Sequence, residues 1–119
     1  MDKNLWRILP MASQKKLTKE IALQVSRFAK QLQLSKIPVN HLIVFGSQAK
    51  GDAKPWSDID ICVISDTFGK DRHRERVTLM KLTDEKTIDI EPHPYHPRDF
   101  ADKWDPLAHE IKKYGIVIK

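Results

Sequence analysis

The chain has 119 residues, of which 40% are hydrophobic and 31% charged, and its formal net charge is +5. This length predicts one domain with a single core, and the composition is typical of a globular protein. No apolar run approaches the ~20 residues of a membrane helix, and the N-terminal apolar stretch is too short for a signal peptide. Cys62 is the only cysteine, which excludes an intrachain disulfide and favours a cytoplasmic protein with this thiol in its core.

The positive charge is concentrated near the N-terminus. Residues 1–40 carry eight Lys and Arg against two acidic residues, whereas residues 41–119 carry thirteen against fourteen. Such a segment attracts RNA, DNA or an acidic protein, although a solvated helix face explains a run of charge more simply. We predict that residues 1–16 are flexible or contact a partner protein, with nucleic acid less favoured.

A helix is predicted over residues 17–34, with Thr18 as its N-cap. Apolar residues recur there at helical spacing, at Ile21, Val25, Phe28, Ala29 and Leu32. The apolar run His41–Phe45 predicts the first strand, and residues 58–64 predict the second. A loop joins these two strands.

The second strand opens with two carboxylates, Asp58 and Asp60. Side chains alternate faces along a strand, so these two point the same way with Cα atoms ~6.6 Å apart. At ~4 Å and an effective dielectric of ~20, two such charges repel by ~4 kcal/mol. A hard divalent cation with oxygen ligands relieves that repulsion. The alternative is an exposed strand edge with two solvated carboxylates.

The first strand stops at Gly46-Ser47. Gly46 lets backbone N–H groups approach a ligand closely, and Ser47 is predicted to cap a short helix over residues 48–50 whose amides face an anion. Lys50 adds a positive charge. Taken alone, Gly46-Ser47 is better explained as an ordinary turn. Beside a pair of carboxylates, it indicates metal-assisted transfer on a nucleoside triphosphate.

The order of strand, Gly46-Ser47, a spacer of about ten residues and Asp58-Ile59-Asp60 resembles the DNA-polymerase-beta-like nucleotidyltransferase superfamily. The wider sequence, GSQAKG followed by SDIDICV, is similar to the stand-alone minimal nucleotidyltransferases, which often serve as antitoxin partners of HEPN-type proteins. The resemblance implies an α/β (α+β) nucleotidyltransferase fold, in which helices flank a mixed sheet. Lys50 stands where relatives usually carry Arg, so the charge is kept but the bidentate contact with phosphate is lost.

A third strand is predicted over residues 87–91, after a charged helix over residues 71–82. A two-metal site needs one more ligand beside the acceptor hydroxyl, and family members place an Asp on this strand between apolar residues. Asp89 lies between Ile88 and Ile90 and matches that pattern. Glu91 shares its face and is the fallback.

The segment 92–97 holds three prolines, which exclude a central strand. His93 and His96 have a spacing that fits zinc, but no Cys or third His stands near, so a loop is favoured. A short helix over residues 98–103, a helix capped by Asp105 and a closing strand over residues 116–118 complete the predicted domain, which spans residues 1–119.

The resemblance implies Mg²⁺-dependent transfer of a nucleoside monophosphate, AMP from ATP or another NTP, to an acceptor hydroxyl. The acceptor it suggests is a tyrosine of a HEPN-type toxin. Alternatives are a non-catalytic antitoxin that covers its partner, a transferase acting on a small molecule or an RNA end, and a nucleic-acid-binding protein; the three carboxylates favour an enzyme, and oligomerisation stays open. The implied site comprises two Mg²⁺ ions on Asp58, Asp60 and Asp89, with nucleotide contacts from Gly46, Ser47, Lys50 and Ser57.

Overall fold

A computed structural model describes residues 17–119 of the chain. The elements follow one another as α1 (Lys19–Leu34), β1 (His41–Phe45), α2 (Ser47–Lys50), β2 (Ile59–Ile64), α3 (Arg72–Met80), β3 (Ile90–Tyr95), α4 (Pro97–Ala101), α5 (Pro106–Tyr114) and β4 (Ile116–Val117). This order confirms the predicted one. The interpretation of residues 1–16 as a flexible or partner-contacting segment lies outside the described residues.

The four strands form one mixed sheet in the order β3-β2-β1-β4. β1 is antiparallel to both β2 and β4, whereas β2 and β3 are parallel. Parallel neighbours need a crossover connection, and α3 provides it between β2 and β3. The mixed α/β architecture predicted from the sequence is confirmed.

Both faces of the sheet are covered, so the central strands are buried on either side. One face packs against α1 and α3 through residues that include Val25, Phe28, Leu42, Ile61, Val63 and Leu79. The opposite face packs against α4 and α5 through Ile43, Phe45, Cys62, Ile64, Phe100 and Ile111. Cys62 is fully buried, as predicted, and burial raises the pKa of its thiol far above the ordinary value.

Helix α1 begins as its sequence predicts. The Thr18 side chain accepts a hydrogen bond from the backbone N–H of Ile21 at 3.3 Å. On the outer side of the helix, the Arg27 guanidinium donates to the Asp84 carboxylate at 2.7 Å. Gln31 donates to the same carboxylate at 2.9 Å. This contact fastens α1 to the turn that leads into β3.

The third strand differs from its prediction. It spans Ile90–Tyr95 rather than residues 87–91, and it forms one edge of the sheet. The carbonyl of Asp89 accepts a hydrogen bond from the Ile59 N–H at 2.7 Å, so pairing with β2 starts where the prediction places the middle of the strand. The alternation of Ile88 and Ile90 predicts that both face the core, but Ile88 is 76% exposed.

The prolines of this segment are accommodated because β3 is an edge strand. The carbonyl of Tyr95 accepts from the Ser65 N–H at 3.0 Å, which shows that the odd-numbered residues of β3 direct their backbone N–H and C=O groups toward β2. Pro92 and Pro94 therefore direct their ring nitrogens outward, where no ladder donor is needed. The exclusion of a central strand was correct, and the assignment of His93 to a loop was wrong.

Within residues 17–119, no helix combines the length and apolar character that crossing a membrane requires.

Candidate active site

The predicted carboxylates lie where β2 begins. Asp60 is the second residue of β2, and Asp58 is exposed just before the strand. In the sheet register, Asp60 stands opposite Phe45 on one side and Glu91 on the other. Residues paired in register on neighbouring strands share a face, so the side chains of Asp60 and Glu91 lie next to each other.

A third polar side chain joins these two. One carboxylate oxygen each from Asp60 and Glu91 and one ring nitrogen of His93 lie within 4.8 Å of one another. The His93 Nε2 is 3.1 Å from the Asp60 Oδ1. The ring also packs edge-on against Phe45, with centroids 5.0 Å apart, which fixes its orientation. Two carboxylates and an imidazole are donors that can hold a divalent cation.

Asp58 contributes to the same cluster of charge. Its pKa lies above the ordinary value, first because the surrounding protein desolvates the carboxylate and then because of the neighbouring carboxylates. Glu91 has the largest effect among those neighbours, ahead of Asp60 and Asp89. The start of β2 is therefore a place where negative charges are held close together, as the sequence predicted for Asp58 and Asp60.

Gly46 is required by the same geometry. It precedes α2 as its N-cap with a φ of +73°, a conformation that side chains rarely adopt. A Cβ at this position would lie 2.5 Å from the Asp60 Oδ2. The backbone of the Gly46-Ser47 turn thus passes directly over the Asp60 carboxylate, and a ligand bound to that carboxylate meets the turn as well.

Ser47 is the first residue of α2 rather than its cap, which corrects the predicted capping role. Its N–H belongs to the first turn of the helix, where amides have no partner within the helix. Lys50 lies at the other end of α2, where its ammonium donates to Glu110 at 2.6 Å. That bond raises the pKa of Lys50 and directs it to α5. The Ser57 hydroxyl accepts from the Lys54 N–H at 2.8 Å and closes the loop before β2.

Asp89 lies in the turn before β3. Its carboxylate accepts a hydrogen bond from the Gln24 side chain of α1 at 3.1 Å. It does not belong to the group formed by Asp60, Glu91 and His93, which is the only such group among residues 17–119. The structure therefore brings Asp60 together with Glu91, the fallback residue. A catalytic role for Asp89 stays a prediction.

Helix α3 adds positive charge beside the carboxylates. Arg76 donates to the Glu91 Oε1 at 2.5 Å, and the Arg72 guanidinium stacks 4.6 Å from the centre of the Tyr95 ring. These arginines and His93 line a cavity of about 320 Å³ at the β3 side of the site. The remaining lining residues are His73, Pro94, Tyr95 and Leu107.

Sequence reasoning favoured a loop role for His93 and a solvated helix face for Arg76, and so left both out of the predicted site. His93 is part of β3, and Arg76 contacts Glu91 of the same strand. Both belong to the site only because this segment is a strand with the side chains of Glu91 and His93 on one face. The available signal was the spacing of Glu91 and His93, two residues apart, which places both on one face of any strand. The prolines beside them concealed that strand.

Comparison with known proteins adds the family. The model of the nucleotidyltransferase domain family matches residues 24–117, a range that includes the Gly46-Ser47 turn, Asp58, Asp60 and all of β3. No curated protein gives a significant match to the chain. Since the family model covers most of the chain and its span contains the clustered carboxylates, this protein belongs to the nucleotidyltransferase domain family.

Proposed function

We propose that this protein transfers a nucleoside monophosphate from an NTP, with ATP as the expected donor, to an acceptor hydroxyl with release of pyrophosphate. The observation that carries the proposal is the pairing of Asp60 with Glu91 across two parallel strands, directly below the Gly46-Ser47 turn. Family membership supports nucleotidyl transfer in general. The nucleotide and the acceptor are part of the proposal.

The carboxylates fit the divalent cations that this chemistry uses. Asp58, Asp60 and Glu91 offer oxygen ligands where β2 and β3 begin side by side, and the pKa of Asp58 is raised by desolvation and then by the nearby carboxylates, whose charge a cation would neutralise. We infer that these three residues hold two Mg²⁺ ions, with Glu91 rather than Asp89 as the third carboxylate. Bound Mg²⁺ would polarise the phosphoryl group and lower the pKa of the acceptor hydroxyl.

The Gly46-Ser47 turn is the proposed contact for the triphosphate. It lies over Asp60 on the β1 side of the site, and its first amides face away from α2. Ser47 would donate to the phosphate oxygens there. Lys50 would reach them only by leaving Glu110, so its role in phosphate binding requires that ion pair to open. Ser57 would help by fixing the loop that precedes Asp58.

The acceptor would approach from the opposite, β3 side. Arg72, Arg76 and His93 border an open cavity there, next to Glu91. We infer that a separate molecule presents the hydroxyl through this open side. We propose that a partner protein does so, through a tyrosine of a HEPN-type toxin, and that the chain acts as a cytoplasmic antitoxin by adenylylating it.

The test is incorporation of labelled AMP into a co-expressed HEPN-type partner. Wild-type protein should label the partner with Mg²⁺ and ATP, and Asp58→Asn should not. Glu91→Gln should lower the labelling rate at least ~10²-fold, because it removes a metal ligand that stabilises the transition state. Asp89→Asn is the matched control and should stay within a few-fold of wild type.

Three results would count against parts of this proposal. If Asp89→Asn fails to label while Glu91→Gln succeeds, the third carboxylate is Asp89. If a small molecule or an RNA end is labelled and the protein partner is not, the acceptor is wrong. If wild type and Asp58→Asn are equally inactive yet both neutralise the partner, the chain is a non-catalytic antitoxin.

A further inference from the structure

His93 is the feature of the site that a carboxylate-only metal centre does not explain. It lies two residues after Glu91 on β3 and turns the same face toward Asp60. We propose that His93 is itself a metal ligand and that it makes the site prefer Mn²⁺ to Mg²⁺. This inference rests on the metal site of the proposed function and adds the identity of the ion.

The geometry places the ring nitrogen where a ligand is needed. The His93 Nε2, an Asp60 oxygen and a Glu91 oxygen all lie within 4.8 Å of one another, so a single ion can contact all three after small side-chain shifts. The side chain is only 18% exposed, and its contact with Phe45 limits its rotation. A cation would replace the hydrogen bond between Nε2 and Asp60, with the ring proton then held on Nδ1.

The chemistry of the donor set selects the ion. Mg²⁺ takes oxygen ligands and water, and it gains little from an imidazole. An imidazole nitrogen favours first-row transition ions over Mg²⁺, and among them Mn²⁺ is the ion best suited to the carboxylate, phosphate and water oxygens that would complete six-fold coordination. A tetrahedral Zn²⁺ ion is less suitable. Asp60, Glu91 and His93 would take three of its four positions and leave only one for a triphosphate oxygen.

The experiment uses the full chain without nucleotide or acceptor. Free Mn²⁺ is measured by its electron paramagnetic resonance signal during titration, and Mg²⁺ affinity is measured by competition in the same samples. His93→Gln should weaken Mn²⁺ binding by at least ~10-fold and change Mg²⁺ binding by less than about threefold. His109→Gln, at an exposed position on α5, is the matched control and should bind both ions as wild type does.

A spectroscopic measurement separates ligation from positioning. Electron spin echo modulation of the Mn²⁺ complex should show coupling to one imidazole ¹⁴N in wild type, and this coupling should vanish in His93→Gln. Absence of the coupling in wild type would overturn the proposal. So would an equal loss of Mn²⁺ and Mg²⁺ affinity in His93→Gln, because His93 would then only orient Asp60.

These readouts do not depend on catalysis. If the protein binds Mn²⁺ with nitrogen coupling but labels no acceptor, the proposed function fails and the metal assignment stands. If it labels an acceptor but shows no nitrogen coupling, the proposed function stands and the assignment of His93 fails.

Discussion

At the scale of single residues, Gly46 brings the backbone of the Gly46-Ser47 turn against the Asp60 carboxylate. We expect Gly46→Ala to be less stable by roughly 1–3 kcal/mol, because a backbone with φ +73° and ψ −151° is nearly restricted to glycine and the new Cβ would contact Asp60. Divalent-ion affinity should fall as well, since the Asp60 carboxylate must move. Urea unfolding and metal titration measure the two effects.

Gly51→Ala is the control for backbone strain alone, because Gly51 has a φ of +83° at the opposite end of α2. It should lose stability but keep wild-type metal affinity. If Gly46→Ala also keeps that affinity, the turn and the carboxylate are not coupled.

Asp58 provides a prediction about pH. Its pKa is raised in the folded state, so the folded protein binds this proton more tightly than the unfolded chain does. In the metal-free protein, the contribution of Asp58 to the free energy of unfolding therefore falls as pH rises from the ordinary carboxyl pKa to the raised one. Asp58→Asn should unfold at a higher temperature than wild type at neutral pH without metal.

Adding Mg²⁺ should reverse that order, because the cation stabilises the wild-type site and Asp58→Asn has lost a ligand. Thermal unfolding at several pH values, with and without Mg²⁺, gives the comparison. A wild-type protein that is the more stable of the two in metal-free buffer would contradict this account.

Site residues that lie close together in the sequence could be predicted from it. Asp58 and Asp60 lie two residues apart at one strand start, so strand alternation alone predicts that they point the same way, and the pairing of β1 with β2 across a short loop brings Gly46 to Asp60. His93 and Arg76 were not predictable in the same way. Their proximity to Asp60 and Glu91 depends on strand register and on how α3 crosses back to the sheet, which are tertiary properties.

At the scale of elements, the helices and strands with a clear period were predicted closely. β1 has the predicted bounds, and Thr18 and Asp105 cap α1 and α5 as expected. The third strand was predicted too early in the chain because prolines disfavour a strand. They are tolerated here because β3 lies at the edge of the sheet. The position of a strand within a sheet is not encoded in the strand itself.

The contact between α1 and the turn before β3 carries an element-scale prediction. The Arg27 guanidinium holds the pKa of the Asp84 carboxyl well below its usual range. Asp84→Asn should therefore lower the unfolding temperature at neutral pH. The difference from wild type should shrink as pH falls below the ordinary carboxyl pKa of ~4, where the wild-type carboxylate begins to lose the stabilisation it gains from ionisation.

Asp52→Asn, at an exposed position in the loop after α2, is the matched control and should change the unfolding temperature little at any pH. Thermal unfolding followed by circular dichroism between neutral and acidic pH is sufficient. A constant difference between Asp84→Asn and wild type across that range would show that charge does not stabilise this contact.

At the scale of the whole molecule, the net charge of +5 arises from residues 1–40. We predict that this basic segment contacts a protein rather than nucleic acid. Affinity for a generic RNA should therefore be weak at physiological salt. Each neutralised phosphate adds ~0.7 to the slope of log affinity against log salt for single strands, so a titration series reports the number of contacts. Sub-micromolar binding with a steep slope would favour the nucleic-acid alternative.

Pro92 and Pro94 also determine how another protein can approach β3. An edge strand normally offers alternating donors and acceptors with which an extended segment of a second chain can pair. On this edge the outward-facing positions 92 and 94 supply carbonyl oxygens but no N–H. β-augmentation is therefore disfavoured at the margin beside Glu91 and His93. A docking protein can keep its own helix or loop intact there and present its hydroxyl through side-chain contacts.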